Sequence, residues 1–147
     1  MSGEDTVYLD ATNQIAGRLS SRVAKLLISG KRVMVVNAEK ALISGSRNSV
    51  VTEWKERLEL SSRVNPIYGP IHPRRPDNIL RRMVRGMVPR KKSKGASAMK
   101  RLRVYVGLPL EIRAEKLNRF EDTSATRPAS AYVTMLELSN SLGWSEE

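Results

Sequence analysis

Residues 7–37 of the chain are VYLDATNQIAGRLSSRVAKLLISGKRVMVVN. This stretch opens with a short apolar run, Val7-Tyr8-Leu9. It closes with a nearly continuous β-branched run at residues 32–37, which is typical of a strand buried on both faces of a parallel sheet. Apolar residues recur between them at helical spacing, at Ile15, Ala16, Leu19, Val23, Leu26 and Leu27. Gly30 then follows as a helix stop, so the stretch predicts a strand–helix–strand unit, a right-handed crossover and an α/β domain.

Further along the chain, helical and extended patterns alternate. A second helix is predicted over residues 48–60, because its apolar side chains fall on one face. Alternation over residues 102–106 predicts a strand. Thr134 and Glu137 have the spacing of a capping box, which predicts a last helix that Gly143 would end. Residues 111–130 are charged and irregular and predict no element.

A proline-rich segment, residues 65–76, separates the second helix from the third. Its four prolines favour extended or turn conformations and remove backbone donors, so we interpret it as an arm. Pro76 and Asp77 suit the first turn of a third helix. On a helical wheel the apolar residues of this helix span about 0° to 140° and its arginines about 200° to 300°. The apolar residues are Ile79, Leu80, Met83, Val84 and Met87, and the arginines are Arg81, Arg82 and Arg85.

The positive charge is concentrated in the middle of the chain. Lys and Arg number 26 against 15 Asp and Glu, a formal net charge of +11. Residues 57–103 hold 14 basic side chains and, as acids, only Glu59 and Asp77, whereas residues 1–56 carry +2 and residues 104–147 carry −3. Because balancing acids are missing from the middle segment, it predicts phosphate binding more strongly than a solvated face. Residues 90–97, after Pro89, are expected to form a basic loop whose small side chains let a ligand approach the backbone.

Composition excludes several classes of protein. The chain has no Cys, which excludes disulfides and thiolate metal sites. No apolar run approaches the roughly 20 residues that span a bilayer. The first five residues contain two acids, Glu4 and Asp5, and no basic residue, where a secretory signal would begin with basic residues. We therefore expect one domain over residues 1–147 of a cytoplasmic protein, with no membrane partner.

The motifs of nucleotide-binding enzymes are missing. Residues 10–17, after the first strand, contain a single glycine, and neither phosphate-binding glycine motif occurs anywhere. Asp10 could be a catalytic carboxylate, but an acid just before a helix is more often an N-cap, and we favour that interpretation. His72 is the only histidine, and a loop or RNA-contact role suits it better than catalysis. The sequence predicts no enzyme, no cofactor, no metal and no small-molecule substrate.

Two weaker binding hypotheses stay open. Arg18, Arg22 and Lys25 form one stripe on the first helix, and such a stripe is more often solvated than bound to a ligand. Trp54 and Trp144 fall on predicted apolar faces, so core packing is favoured over stacking on bases.

Seven short motifs of the chain resemble the universal large-subunit ribosomal protein thirteen family. They are AGRL (16–19), VVNAE (35–39), ISG (43–45), GPIHPRRP (69–76), RGMVPRK (85–91), KGA (94–96) and RLRVYVG (101–107). Of these, the Arg-Gly-Met-x-Pro motif with the basic residues that follow it is specific for the family. The central motifs are similar to archaeal and eukaryotic members, and the long helical extension of eukaryotic members is missing, so we expect the archaeal type.

The resemblance implies a three-layer α/β/α sandwich around a four-stranded parallel sheet, carrying the basic proline-rich arm. It also implies binding to large-subunit (23S-type) ribosomal RNA, neighbouring ribosomal proteins as partners, and a part in early subunit assembly. The basic segment 65–103 would supply the RNA contacts. The family motifs cover Arg74, Arg75, Arg85, Arg90, Lys91, Lys94 and Arg101, and charge and wheel position add Arg81, Arg82, Lys92 and Lys100.

Two other functions suit the sequence less well. A sequence-specific DNA-binding module would need a helix-turn-helix or similar reader, but here the proline arm precedes the arginine-bearing helix in place of a tight turn. An enzyme acting on nucleotides would need the missing glycine loop or a carboxylate cluster.

Overall fold

A computed structural model describes residues 6–145 of the chain. Residues 1–5, which weighed against a secretory signal, lie outside the described residues. In chain order the elements are β1 (Thr6–Asp10), α1 (Ala16–Ile28), β2 (Arg32–Val36), β3 (Leu42–Ser44), α2 (Arg47–Leu58), α3 (Pro76–Arg85), α4 (Ser93–Lys100), β4 (Leu102–Val104), β5 (Tyr132–Thr134) and α5 (Met135–Ser141). None of the helices described in residues 6–145 has the length and apolar character needed to span a membrane.

The predicted strand–helix–strand unit is confirmed as β1, α1 and β2. β1 and β2 pair in parallel, with Thr6 opposite Arg32 and Asp10 opposite Val36. β4 pairs in parallel with the other edge of β2, where Leu102 lies opposite Val33. The strand order is therefore β1-β2-β4, and β2 is central.

The four-stranded sheet and the three-layer sandwich that the resemblance implied are not confirmed. The parallel sheet has three strands in the described part of the chain, while β3 and β5 form a separate antiparallel pair. The outer edge of β1 is covered at one point, where the N–H of Asp10 donates to the carbonyl of Asn118 at 3.0 Å. Pairing stops there because 3-10 turns at Ala114–Lys116 and Glu121–Thr123 bend the chain on both sides.

The core is built from the sheet and from the apolar faces of α1 and α3, which pack together. On α1 the side chains of Leu19, Val23 and Leu27 are buried. On α3 the predicted apolar face is confirmed at Ile79, Leu80 and Val84, whereas Met83 is half-buried and Met87 is 44% exposed. Burying each such side chain contributes roughly 1.5–3 kcal/mol, so this contact holds α3 firmly on the domain.

The last helix forms as its capping box predicts. Thr134 Oγ1 accepts a hydrogen bond from the N–H of Glu137 at 3.2 Å. Gly143 ends the helix with a φ of +100°, a conformation that favours glycine. Trp144 folds back, and its N–H donates to the Ser139 carbonyl at 3.0 Å.

The N-cap interpretation of Asp10 is wrong. The N-cap of α1 is Ile15, without a side-chain cap, and Asp10 instead fastens the loop before it. Its carboxylate accepts from the Thr12 hydroxyl at 2.6 Å, from Asn37 Nδ2 at 3.0 Å and from Arg119 Nη2 at 2.6 Å. Burial raises the pKa of Asp10, but the bonds from Thr12, Arg119 and Asn37 outweigh it and lower the pKa to about 2. Asp10 thus joins the β1–α1 loop to the irregular segment 105–131.

The predicted basic loop at residues 90–97 is also wrong over most of its length, because residues 93–97 lie in α4. A glycine near the start of α4 allows this. A Cβ on Gly95 would lie 2.0 Å from the carbonyl oxygen of Pro89, so only glycine lets α4 close against the turn before it. Gly95 is therefore a packing residue as well as part of a basic motif.

Gly95→Ala should destabilise the protein by roughly 2 kcal/mol, because the clash is with backbone that cannot rotate away. Gly17→Ala, in α1, is the matched control: a Cβ there meets nothing within 4 Å, and stability should stay level or rise by about 0.5–1 kcal/mol. Urea unfolding of both variants checks this. Equal stability of the two would show that α4 does not close on Pro89.

Candidate nucleic-acid interface

Two of the predicted site residues have a structural task. The guanidinium of Arg81 donates to the carbonyls of Leu102 at 3.0 Å and Met99 at 3.3 Å, and so binds α3 to the end of α4 and the start of β4. Arg101 donates to the carbonyl of Leu27 at the end of α1. Both side chains are half-buried. The wheel placed Arg81 away from the apolar stripe, but it could not show that the α4–β4 turn covers that side.

Arg82 and His72 hold the proline arm against the domain. Arg82 Nη1 donates to the carbonyl of Ile71, and His72 Nε2 lies 2.8 Å from the carbonyl oxygen of Leu60. Between Leu60 and Ile71 the chain forms a 3-10 turn, Pro66–Tyr68, and exposes apolar side chains. Ile67 is 82% exposed and Tyr68 is 84% exposed. The arm is thus anchored at its base, and its apolar side chains face outward.

Arg85 lies close to other positively charged side chains. Burial, and repulsion from Arg82 and Arg90, lower the pKa of Arg85 below its ordinary value. In the described part of the chain Arg85 forms no ion pair that would offset this repulsion. A shallow cleft of about 250 Å³ opens beside it, lined by Ile71, Pro73, Asn78, Arg81, Arg82 and Arg85. A bound phosphate would supply the missing negative charge.

An exposed basic cluster lies in the turn before α4 and at the start of that helix. Its members are Arg90, Lys91, Lys92 and Lys94, and Lys100 is exposed at the other end of the helix. Lys92 is the N-cap of α4 and provides no side-chain acceptor, and the first turn contains no acid. The positive end of the helix dipole therefore lies among lysines with no balancing carboxylate, which favours an anion.

Arg74 and Arg75 lie where the arm joins α3, and both are exposed. Arg75 Nε forms an ion pair at 3.3 Å with Asp77 Oδ1. The guanidinium of Arg74 lies against Gly143, after α5. The two arginines thus extend the basic surface from α3 toward the end of the last helix.

The three basic residues of the predicted stripe on α1 have different surroundings. Arg22 pairs with Asp122 and lies over the ring of Phe120, 5.9 Å from its centroid. Arg18 and Lys25 are exposed on the same helix. The structure therefore uses Arg22 to hold the irregular segment, and the stripe is not a continuous cationic surface.

One cationic contact near the arm was missed by sequence reasoning. Arg57 lies over the ring of Trp54, 5.0 Å from its centroid, and pairs with Glu53 at 2.5 Å. Trp54 is half-buried and packs on the edge of the core, as its apolar position predicted. The i,i+3 spacing of Trp54 and Arg57 on a predicted helix was the signal that could have found this pair.

Comparison with known proteins decides the family. Residues 4–111 match the family described as Ribosomal protein L13. The chain belongs to the ribosomal protein L13 family. The matched range contains all seven motifs on which the resemblance was based, which is thereby confirmed, and the family is one of structural proteins and not of enzymes.

Similar proteins named "Large ribosomal subunit protein uL13" occur in several archaea. That of Sulfolobus acidocaldarius is 45% identical over 143 residues, covering 97% of this chain and 96% of the relative. That of Archaeoglobus fulgidus is 42% identical over 144 residues, covering 97% of this chain and 90% of the relative. That of Methanococcoides burtonii is 46% identical over 136 residues, covering 92% of this chain and 96% of the relative. The expectation of an archaeal type agrees with these matches.

The different tasks of Arg81 and Arg85 predict different effects on stability. Arg81→Gln should lower the free energy of unfolding by about 2 kcal/mol, since it removes charged donors to two carbonyls. Arg85→Gln removes the same charge one turn further along α3 and should change stability by less than about 0.5 kcal/mol. Urea denaturation measures both. A loss at Arg85 as large as that at Arg81 would contradict the separation of structural from free arginines.

Proposed function

We propose that this chain is a structural constituent of the large ribosomal subunit and binds its 23S-type ribosomal RNA through the basic surface of residues 65–103. The observation that carries the RNA contact is the cleft lined by Arg81, Arg82 and Arg85, whose lining contains no Asp or Glu. The names of the archaeal relatives support the large-subunit assignment. On this proposal the protein acts in the cytoplasm, as part of the ribosome.

The residues that we propose as phosphate contacts are those with free donors. Arg85, Arg90, Lys91, Lys92 and Lys94 surround the α3–α4 turn, where the helix N-terminus adds to their field. Arg74, Arg75 and Lys100 would extend this contact at its edges. Arg81 and Arg101 would act mainly by holding the surface in shape, because their guanidinium groups already bond backbone carbonyls. Arg82 would share both tasks.

Sequence-specific DNA binding suits this surface less well. A reading helix must enter a major groove with its side chains free, but on α3 the guanidinium groups of Arg81 and Arg82 are bonded to backbone carbonyls. The cationic groups also lie on a turn and two short helices, a layout that follows a folded backbone better than a straight groove. Ribosomal RNA offers phosphates in that irregular arrangement.

We also propose a part in early subunit assembly, with neighbouring ribosomal proteins as partners. The basic side chains of residues 74–100 lie on one connected stretch of chain and could draw separate RNA segments together. Neutralising phosphate repulsion between RNA segments is a task that a compact cationic domain can perform.

Replacing Arg85, Arg90 and Lys91 together by Gln should flatten the slope of log K against log salt by about 2–3 units, because each lost phosphate contact removes roughly 0.7–0.9. Filter binding of large-subunit ribosomal RNA fragments at several salt concentrations measures this slope. The control replaces Arg113, Lys116 and Arg127, three exposed basic residues outside the surface, and should leave the slope nearly unchanged. Equal flattening in both triple variants would show that the attraction depends on net charge alone.

A further inference from the structure

Two clefts lie side by side along the proline arm. The cleft beside Arg85 described above is lined partly by Ile71, Pro73 and Arg82. A second cleft of about 180 Å³ shares these three residues and is also lined by residues of α2. Trp54, Arg57, Pro70 and His72 complete its lining. Arg82 therefore lines both a cationic cleft and a cleft that contains the flat rings of Trp54 and His72.

The second cleft has the surfaces that take up a planar aromatic group. The Arg57 guanidinium lies 5.0 Å from the centroid of the Trp54 ring, and its pair with Glu53 holds it there. His72 is oriented by its 2.8 Å contact with the Leu60 carbonyl. Planar guanidinium and aromatic faces stack on nucleobases, and they do so with any base.

The charges around the cleft favour a nucleotide over an apolar protein side chain. Arg57 and Arg82 are both cationic, and both line the cleft. Arg85, beside the neighbouring cleft, is repelled by Arg82 and Arg90 and forms no ion pair in the described residues. A ligand that fits both clefts must have a flat ring at one end and a negative charge at the other, which is the chemistry of one nucleotide.

We propose that the cleft between α2 and the proline arm binds one unpaired nucleobase of the RNA, with the phosphate of that nucleotide over Arg82 and Arg85. The base must be unpaired, because bases inside a duplex cannot reach a ring-lined cleft. This inference rests on the proposed RNA-binding function and specifies the structure of the RNA at this point. The arm would form one wall of the cleft. Its anchoring by Arg82 and His72 would then keep the cleft in shape.

The test compares three variants of the full chain, with single-stranded oligoadenylate and a fully paired RNA duplex of the same length as probes. Arg57→Ala should weaken binding of the oligoadenylate about tenfold, because one stacking partner is lost. Arg57→Lys keeps the charge without the flat face and should weaken it nearly as much. Arg47→Ala removes the same charge from the other end of α2, about 15 Å away, and should have little effect. None of the three substitutions should change binding of the duplex.

A second readout uses the two tryptophans of the chain. With Trp144→Phe, emission comes from Trp54 alone, and it should change on adding oligoadenylate but not on adding duplex. Equal weakening by Arg57→Ala and Arg47→Ala, full binding by Arg57→Lys, or the same emission change with both probes would overturn the base cleft while leaving RNA binding intact. Failure of the unaltered chain to bind either RNA would instead overturn the proposed function as well.

Discussion

The parallel pairing of β2 with β4 is the constraint on which the rest of the molecule depends. Two parallel neighbours cannot be joined by a tight turn, so the chain must cross over the sheet between them. Here the crossover runs from residue 37 to residue 101 and contains the arm, α3 and α4. Nearly all the unbalanced charge lies in this connection, which means that the fold itself brings the basic segment together on one part of the domain.

The crossover has to stay folded although its charges repel one another. Two features offset the repulsion: the apolar face of α3 packs on α1, and Arg81 and Arg101 bond carbonyls at the ends of neighbouring elements. Arg85, Arg90 and the lysines around the start of α4 form no ion pair in the described residues. A surface held in shape before RNA arrives has little ordering entropy left to lose on binding, which favours affinity.

The strand–helix–strand unit, the faces of α3 and the cap of α5 could be predicted from sequence, because periodicity and capping are local signals. Three features could not. The helical state of residues 93–97 depends on Gly95 passing close to Pro89, a contact that propensity does not encode. The task of Arg81 depends on where the α4–β4 turn lies. Segment 105–131 follows the edge of β1 through single contacts such as Asn118, without periodicity. For the candidate site, charge counting found the segment but could not separate structural arginines from free ones.

We propose that the fold presents a cationic crossover to the RNA of the large ribosomal subunit. Sedimentation of cell lysate in a low-salt sucrose gradient, with detection of this chain in each fraction, tests it most directly. The chain should travel with the large subunit and leave it only when salt is raised enough to screen the phosphate contacts. Recovery of the chain only at the top of the gradient, with ribosomes intact, would contradict it.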